Sequence, residues 1–139
     1  MLKVKKLCSE AKLPTVANPG EDLGYDLYAK NDVTVPRGGH ALIRTGIAAF
    51  QEGHGLLIRD RSSMAKVGVM VTGGVVDAGY RGEIMVLLSY NGAMDEFKVR
   101  QGDKIAQMIP LPVLTGEVVE IEELPASTRG EKGFGSSGR

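Results

Sequence analysis

The stretch Gly74-Val75-Val76-Asp77-Ala78-Gly79-Tyr80-Arg81-Gly82-Glu83 decides how this chain is read. An apolar pair carries one carboxylate, Asp77, into a glycine-flanked turn, and an aromatic ring, Tyr80, follows three residues later. The chain resumes as Ile84-Met85-Val86-Leu87-Leu88, apolar enough for a buried strand. The pattern predicts a β-hairpin with an acid and a ring at its tip, suited to a planar ligand held against backbone. Asp and Gly are also ordinary turn residues, so an Asp77 that only supports the turn remains an equal reading at this point.

Outward from this stretch the pattern is mostly strand. Residues 2–8 alternate apolar and basic. Val33-Thr34-Val35 runs into the turn Pro36-Arg37-Gly38-Gly39, and residues 40–50 are apolar with a break at Gly46. Short apolar or alternating runs follow at 55–58, 67–71, 83–89, 96–99, 104–112 and 117–121. Ser62-Ser63-Met64-Ala65-Lys66 reads as the one short helical turn. Many short strands separated by turn residues predict an all-β sandwich or barrel. Glycine is abundant, 19 of 139 residues, about twice the usual 7%, as frequent tight turns require. The length fits one domain, expected over residues 1–128, with 129–139 as a glycine-rich tail.

Composition excludes several classes. Lys plus Arg equals Asp plus Glu, 17 each, so the bulk positive footprint of stable nucleic-acid binding is absent. No run reaches the roughly 18 apolar residues of a membrane span, and the basic start Met1-Leu2-Lys3-Val4-Lys5-Lys6 lacks a secretory apolar core. The single Cys8 cannot form an internal disulfide. Together these point to a cytoplasmic protein. His40 and His54 sit beside glycines as surface residues, and no His/Cys grouping has metal-ligand spacing.

Three further stretches carry chemistry. Arg59-Asp60-Arg61-Ser62-Ser63 opens the helical turn and could bind an anion through guanidinium groups, hydroxyls and backbone N–H; helix capping by Ser62 explains it equally well. Asp26 lies in an alternating strand between Tyr25 and Leu27, where backbone neighbours more often satisfy a carboxylate. In Gly102-Asp103-Lys104-Ile105-Ala106-Gln107, the pair Asp103 and Lys104 is expected to be solvated, whereas Gln107 in its apolar run needs partners. The end, Arg129-Gly130-Glu131-Lys132-Gly133-Phe134-Gly135-Ser136-Ser137-Gly138-Arg139, has no apolar face to bury. It is expected to be mobile, yet it holds a ring, hydroxyls and cations of the kind a nucleotide needs.

Taken in order, these segments resemble the five motifs of the homotrimeric deoxyuridine triphosphate nucleotidohydrolases (dUTPases): residues 23–29, 61–65, 74–83, 102–109 and 129–138. The resemblance covers essentially the whole chain. Leu23 stands where the first motif usually has a small residue, Ala78-Gly79 replaces the commoner acid before Tyr80, and Lys132 replaces a usual glycine. The resemblance implies a jelly-roll trimer with three sites shared between subunits. It implies Mg2+-assisted hydrolysis of dUTP to dUMP and pyrophosphate, which limits uracil in DNA and supplies dUMP for thymidylate. Asp77 would then activate the attacking water. Tyr80 would obstruct a 2′-hydroxyl, and the backbone of Gly74, Val75 and Val76 would read uracil, with Met85 among the substrate-binding residues. Arg61, Ser62, Ser63 and Gln107 would hold phosphates, and Asp26 would reach the metal through water. Phe134 would stack on the base while Arg129, Gly135, Ser136 and Ser137 cover the outer phosphates. The related dCTP deaminases often carry an Asp-Pro-Gly-aromatic turn but need a glutamate where this chain has Leu87, and leucine cannot shuttle a proton.

Overall fold

The computed structural model describes residues 1–135, 137 and 138. The predicted strands are present as β1 (Lys3–Lys6), β2 (Tyr25–Tyr28), β3 (Val33–Pro36), β4 (His40–Arg44), β5 (Ile47–Phe50) and β6 (His54–Arg59). After the short α1 (Ser62–Ala65) come β7 (Val69–Thr72), β8 (Val75–Val76), β9 (Met85–Tyr90), β10 (Glu96–Val99) and β11 (Lys104–Pro112). All pairings are antiparallel. They form a four-stranded sheet in the order β2-β11-β6-β8, a three-stranded sheet β4-β9-β7, and the two-stranded pairs β1-β5 and β3-β10. Most neighbours are distant in sequence, as a jelly roll demands.

Alternation decides which side chains face inward. In β9 the pattern buries Val86, Leu88 and Tyr90 and leaves Met85 exposed. Inward residues from both larger sheets, among them Leu27, Ile43, Ile58, Val69, Val86 and Met108, meet in one core. Among the described residues no buried side-chain polar atom lacks a partner. No helix among them is long and apolar enough to cross a membrane.

Two expectations are corrected. The stretch around Asp77 is not a hairpin. β8 pairs with β6 (Leu56 opposite Val76, Leu57 opposite Val75), whereas β9 pairs with β4 and β7. Residues 77–84 therefore cross from one sheet to the other. Each flanking strand found a better-matched edge far away in sequence, which a local pattern cannot foretell. The run 117–121 forms no strand, and Val118 and Val119 are 97% and 74% exposed. Its alternation is strand-like, but no edge of this chain pairs with it. Strand structure ends at Pro112. From Leu114 on, the hydrogen bonds among described residues are local, such as Arg129 Nε to the Lys132 carbonyl (2.6 Å) and Gly130 N to Ser127 Oγ (3.1 Å).

Candidate active site

The crossing segment builds the first part of the site. Gly74 opens the approach to it, just before β8, because no other residue fits: a Cβ there would collide with the Ile58 carbonyl. Ile58 N donates to the Gly74 carbonyl (2.6 Å), which is thereby committed to β6. β8 is the last strand of its sheet, so one of its edges is open. Antiparallel alternation turns the amide and carbonyl of Val75 toward that open edge. A main-chain donor and acceptor side by side are what a planar heterocycle can pair with.

The chain then turns. Tyr80 N donates to the Asp77 carbonyl (3.0 Å), and the Tyr80 hydroxyl donates to the Glu83 carbonyl (2.8 Å). Gly82 lies against the Tyr80 ring with no room for a side chain. The far end is tied down by Glu83, whose carboxylate accepts from Arg44 Nε (2.8 Å) and Gly46 N (3.0 Å). That carboxylate holds the Arg44 pKa above the ordinary arginine value. Ile84 next to it is 1% exposed, a burial that contributes about 1.5–3 kcal/mol. Val75, Val76, Asp77, Tyr80 and Met85 line one open pocket of about 380 Å³, with Gly73, Leu42 and Ile58. Two carboxylates border it. Glu83 is engaged as described, whereas among the described residues no hydrogen bond or ion pair holds that of Asp77.

A second, charged group gathers across β6 from β8. Asp26 on β2 takes Lys104 Nζ on one oxygen (2.9 Å) and lies 3.8 Å from Arg61 Nε on the other. Asp26 is therefore satisfied by cations and not by neighbouring backbone, and Lys104 is not merely solvated. The register that puts Gln107 opposite Asp26 brings Lys104 alongside. The Asp26 carboxylate, through its hydrogen bond first and its charge second, pulls the Lys104 pKa above the usual lysine value. Asp103, also expected in solvent, accepts from Arg100 N (2.9 Å) and fixes the turn before β11. Gln107 finds its partner in the Asp60 carbonyl (3.0 Å). Arg61 occupies the cap position of α1, and no side chain caps the helix. The capping reading of Ser62 is thus overturned: Ser62 and Ser63 are exposed at the first turn beside a guanidinium, where an anion would be welcome.

The tail is a third piece. Phe134 is fully exposed in a left-handed backbone conformation (φ 48°), and Arg129, Gly135 and Ser137 are exposed with it. Ser136, expected over the phosphates, lies outside the described residues. Among the described residues no side-chain hydrogen bond or ion pair links pocket, charged group and tail. Sequence reasoning missed Lys104, Glu83 and Arg81, all of which fix the geometry through partners remote in sequence.

Comparison with known proteins identifies the family. The dUTPase family model matches residues 9–138. The chain is 42% identical over 142 residues to the deoxyuridine 5'-triphosphate nucleotidohydrolase of Nautilia profundicola, covering 99% of both chains. It is 44% identical to that of Clostridium tetani, covering 99% of this chain and 97% of the other. Among solved structures, the Staphylococcus bacteriophage 80alpha dUTPase with dUPNHPP superposes with a TM-score of 0.89 at 28% identity, covering 100% of this chain and 99% of that one. A jelly roll whose crossing segment, charged group and tail fall within one family match leaves no ambiguity of kinship: the chain belongs to the dUTPase family.

Proposed function

We propose that the protein hydrolyses dUTP to dUMP and pyrophosphate, with Asp77 as the base that deprotonates the water attacking the α-phosphorus. One observation carries the assignment of the base: of the two carboxylates bordering the pocket, Glu83 is committed to Arg44 and Gly46 while Asp77 is free to accept a proton. The open edge of β8 pairs with uracil through Val75, flanked by Gly74 and Val76. Cytosine would leave these groups unmatched, a penalty of about 10⁴-fold at sites built this way. Tyr80 packs on the deoxyribose, where a 2′-hydroxyl would clash, and Met85 supplies the apolar wall.

The charged group receives the phosphate chain. Arg61, Ser62, Ser63 and Gln107 donate to phosphate oxygens, and transfer proceeds by positioning and charge stabilisation. The donor set fits Mg2+ carried by the substrate. Such an ion takes one or two protein carboxylates and keeps several waters. Asp26 is the carboxylate at hand, and among the described residues no cluster of three or more His, Cys, Asp or Glu forms a dedicated cage. Asp26 would hold the ion through water; when bound, the ion neutralises the triphosphate.

The active unit we propose is a homotrimer. The body is residues 1–128, and the tail, 129–139, closes the site of another copy, with Phe134 on the base and Arg129, Gly135, Ser136 and Ser137 on the outer phosphates. The separation of pocket, charged group and tail within one chain supports this. So do Leu114, Val118, Val119 and Leu124, exposed apolar residues that a neighbouring copy would cover. The free thiol of Cys8 suits a cytoplasmic setting. The test supplies dUTP and dCTP separately with Mg2+. Pyrophosphate from dUTP without ammonia from dCTP is expected; ammonia from dCTP would replace this reading with a deaminase.

A further inference from the structure

Among the described residues no side-chain partner holds the Asp77 carboxylate, so its place depends on the turn that carries it. One residue of that turn points away from the pocket. The Arg81 guanidinium donates through Nη1 to the carbonyls of Ala78 (2.7 Å) and Tyr80 (3.0 Å). The same group lies 4.4 Å from the centre of the Phe50 ring at the end of β5. Arg81 thus borders the surface depression of Lys3, Lys5 and Phe50 and not the pocket of Asp77 and Tyr80. β5 is itself braced by β1, with Phe50 opposite Lys3. Farther along the chain, Glu83 ties the segment to Arg44 and Gly46. Of these two anchors, Arg81 is the one that reaches back past Tyr80 to Ala78, the residue next to Asp77.

We propose that Arg81 is a positioning residue: stacked on Phe50, it clamps the Ala78 and Tyr80 carbonyls and so fixes the Asp77 carboxylate and the Tyr80 ring relative to each other. A planar guanidinium can stack on a ring and donate in its own plane at once, which an ammonium cannot. The inference rests on the proposed roles of Asp77 and Tyr80. Misplacing a reacting group by about 1 Å costs up to about 10²-fold in rate, and the loss falls on turnover when substrate contacts are intact.

The experiment assays Arg81→Ala, Arg81→Lys, Phe50→Leu and the Arg81→Ala/Phe50→Leu pair on dUTP and UTP, with Asp77→Asn alongside and thermal melting as a control of folding. Arg81→Ala should lower kcat on dUTP about ten-fold, with a much smaller change in KM. It should also raise the UTP/dUTP ratio of kcat/KM, because a loosened ring discriminates less. Arg81→Lys, which keeps the charge but not the stack, should recover less than about half of the lost kcat. Phe50→Leu should act in the same direction, and the double variant should be no worse than Arg81→Ala alone. Should Arg81→Ala fail to melt cooperatively, Phe50→Leu carries the test. The proposal is overturned by wild-type kcat in Arg81→Ala or Arg81→Lys, by a rise in KM alone, by an unchanged UTP/dUTP ratio, or by losses that multiply in the double variant. Asp77→Asn separates the two readings. If it is dead while Arg81→Ala is normal, only the clamp falls; if it is fully active, the function assigned to the pocket falls as well.

Discussion

Residues 77–83 and the stretch from Leu114 onward both lie outside strands and both are rich in glycine or polar residues, yet they are held in opposite ways. The crossing segment spans two sheets and is fastened at several points to distant strands, through Arg81 on Phe50 and Glu83 on Arg44 and Gly46. From Leu114 on, the described residues bond only to one another. The chemistry proposed for Asp77 and Tyr80, which needs close placement, falls on the fastened segment. The part proposed to admit substrate and release product carries no such ties among the described residues. Long-range fastening in this chain does not follow the division between strand and loop.

The largest expected effect comes from the fastened segment. Asp77→Asn keeps shape and removes basicity, so turnover should fall by about 10²-fold or more while dUTP affinity, measured by calorimetry, changes far less. Near-normal turnover would remove Asp77 from the mechanism.

Truncation after Thr128 should abolish nearly all turnover yet leave the melting temperature unchanged, since among the described residues the tail bonds to the body only through the exposed, local contact of Gly130 N with Ser127 Oγ. Unfolded and refolded together, the truncated chain and Asp77→Asn should regain activity in mixed trimers, because some sites would take Asp77 from one chain and the tail from another. Mixed trimers verified by mass that stay dead at every ratio would place tail and pocket on one chain.

Two glycines sharpen the contrast, Gly74 ahead of the fastened segment and Gly79 within it. Gly74→Ala forces a Cβ against the Ile58 carbonyl and should destabilise by about 1–3 kcal/mol, the usual range for overpacking, in urea unfolding. Gly79→Ala meets nothing within 4 Å and should change stability by less than about 0.5 kcal/mol. Equal effects at the two positions would mean that the close approach of β8 to β6 is not what constrains this turn.

Strand positions were legible because alternation is local: in β9 each inward residue can be read from its neighbours. An all-β sandwich or barrel followed from the count of such strands, and the jelly roll from the resemblance to the dUTPases. Pairing was not legible. Val75-Val76 and Met85–Tyr90 are apolar runs separated by a turn, which is also how a hairpin reads, and their separate partners, β6 and β4 with β7, lie outside any local window. The run 117–121 misled for the complementary reason, having strand periodicity without an edge to use. Val75, Val76, Asp77, Tyr80 and Met85 of the pocket were named from the sequence, whereas Leu42, Ile58 and Gly73, which line it with them, were not. Lys104 was not, because a Gly-Asp-Lys turn reads as solvated until register sets it beside Asp26. Arg81 likewise sits among polar turn residues, and only the fold brings Phe50 beneath it.

The open edge of β8 has a consequence for inheritance. The amide and carbonyl that Val75 turns outward are common to every amino acid except proline, which lacks the donor. On the proposed pairing, a codon change at that position can alter how tightly a base is gripped, but the pattern of donor and acceptor offered to it persists. Discrimination written in main chain is thus shielded from most point mutation, whereas discrimination written in a side chain is a single substitution from being erased.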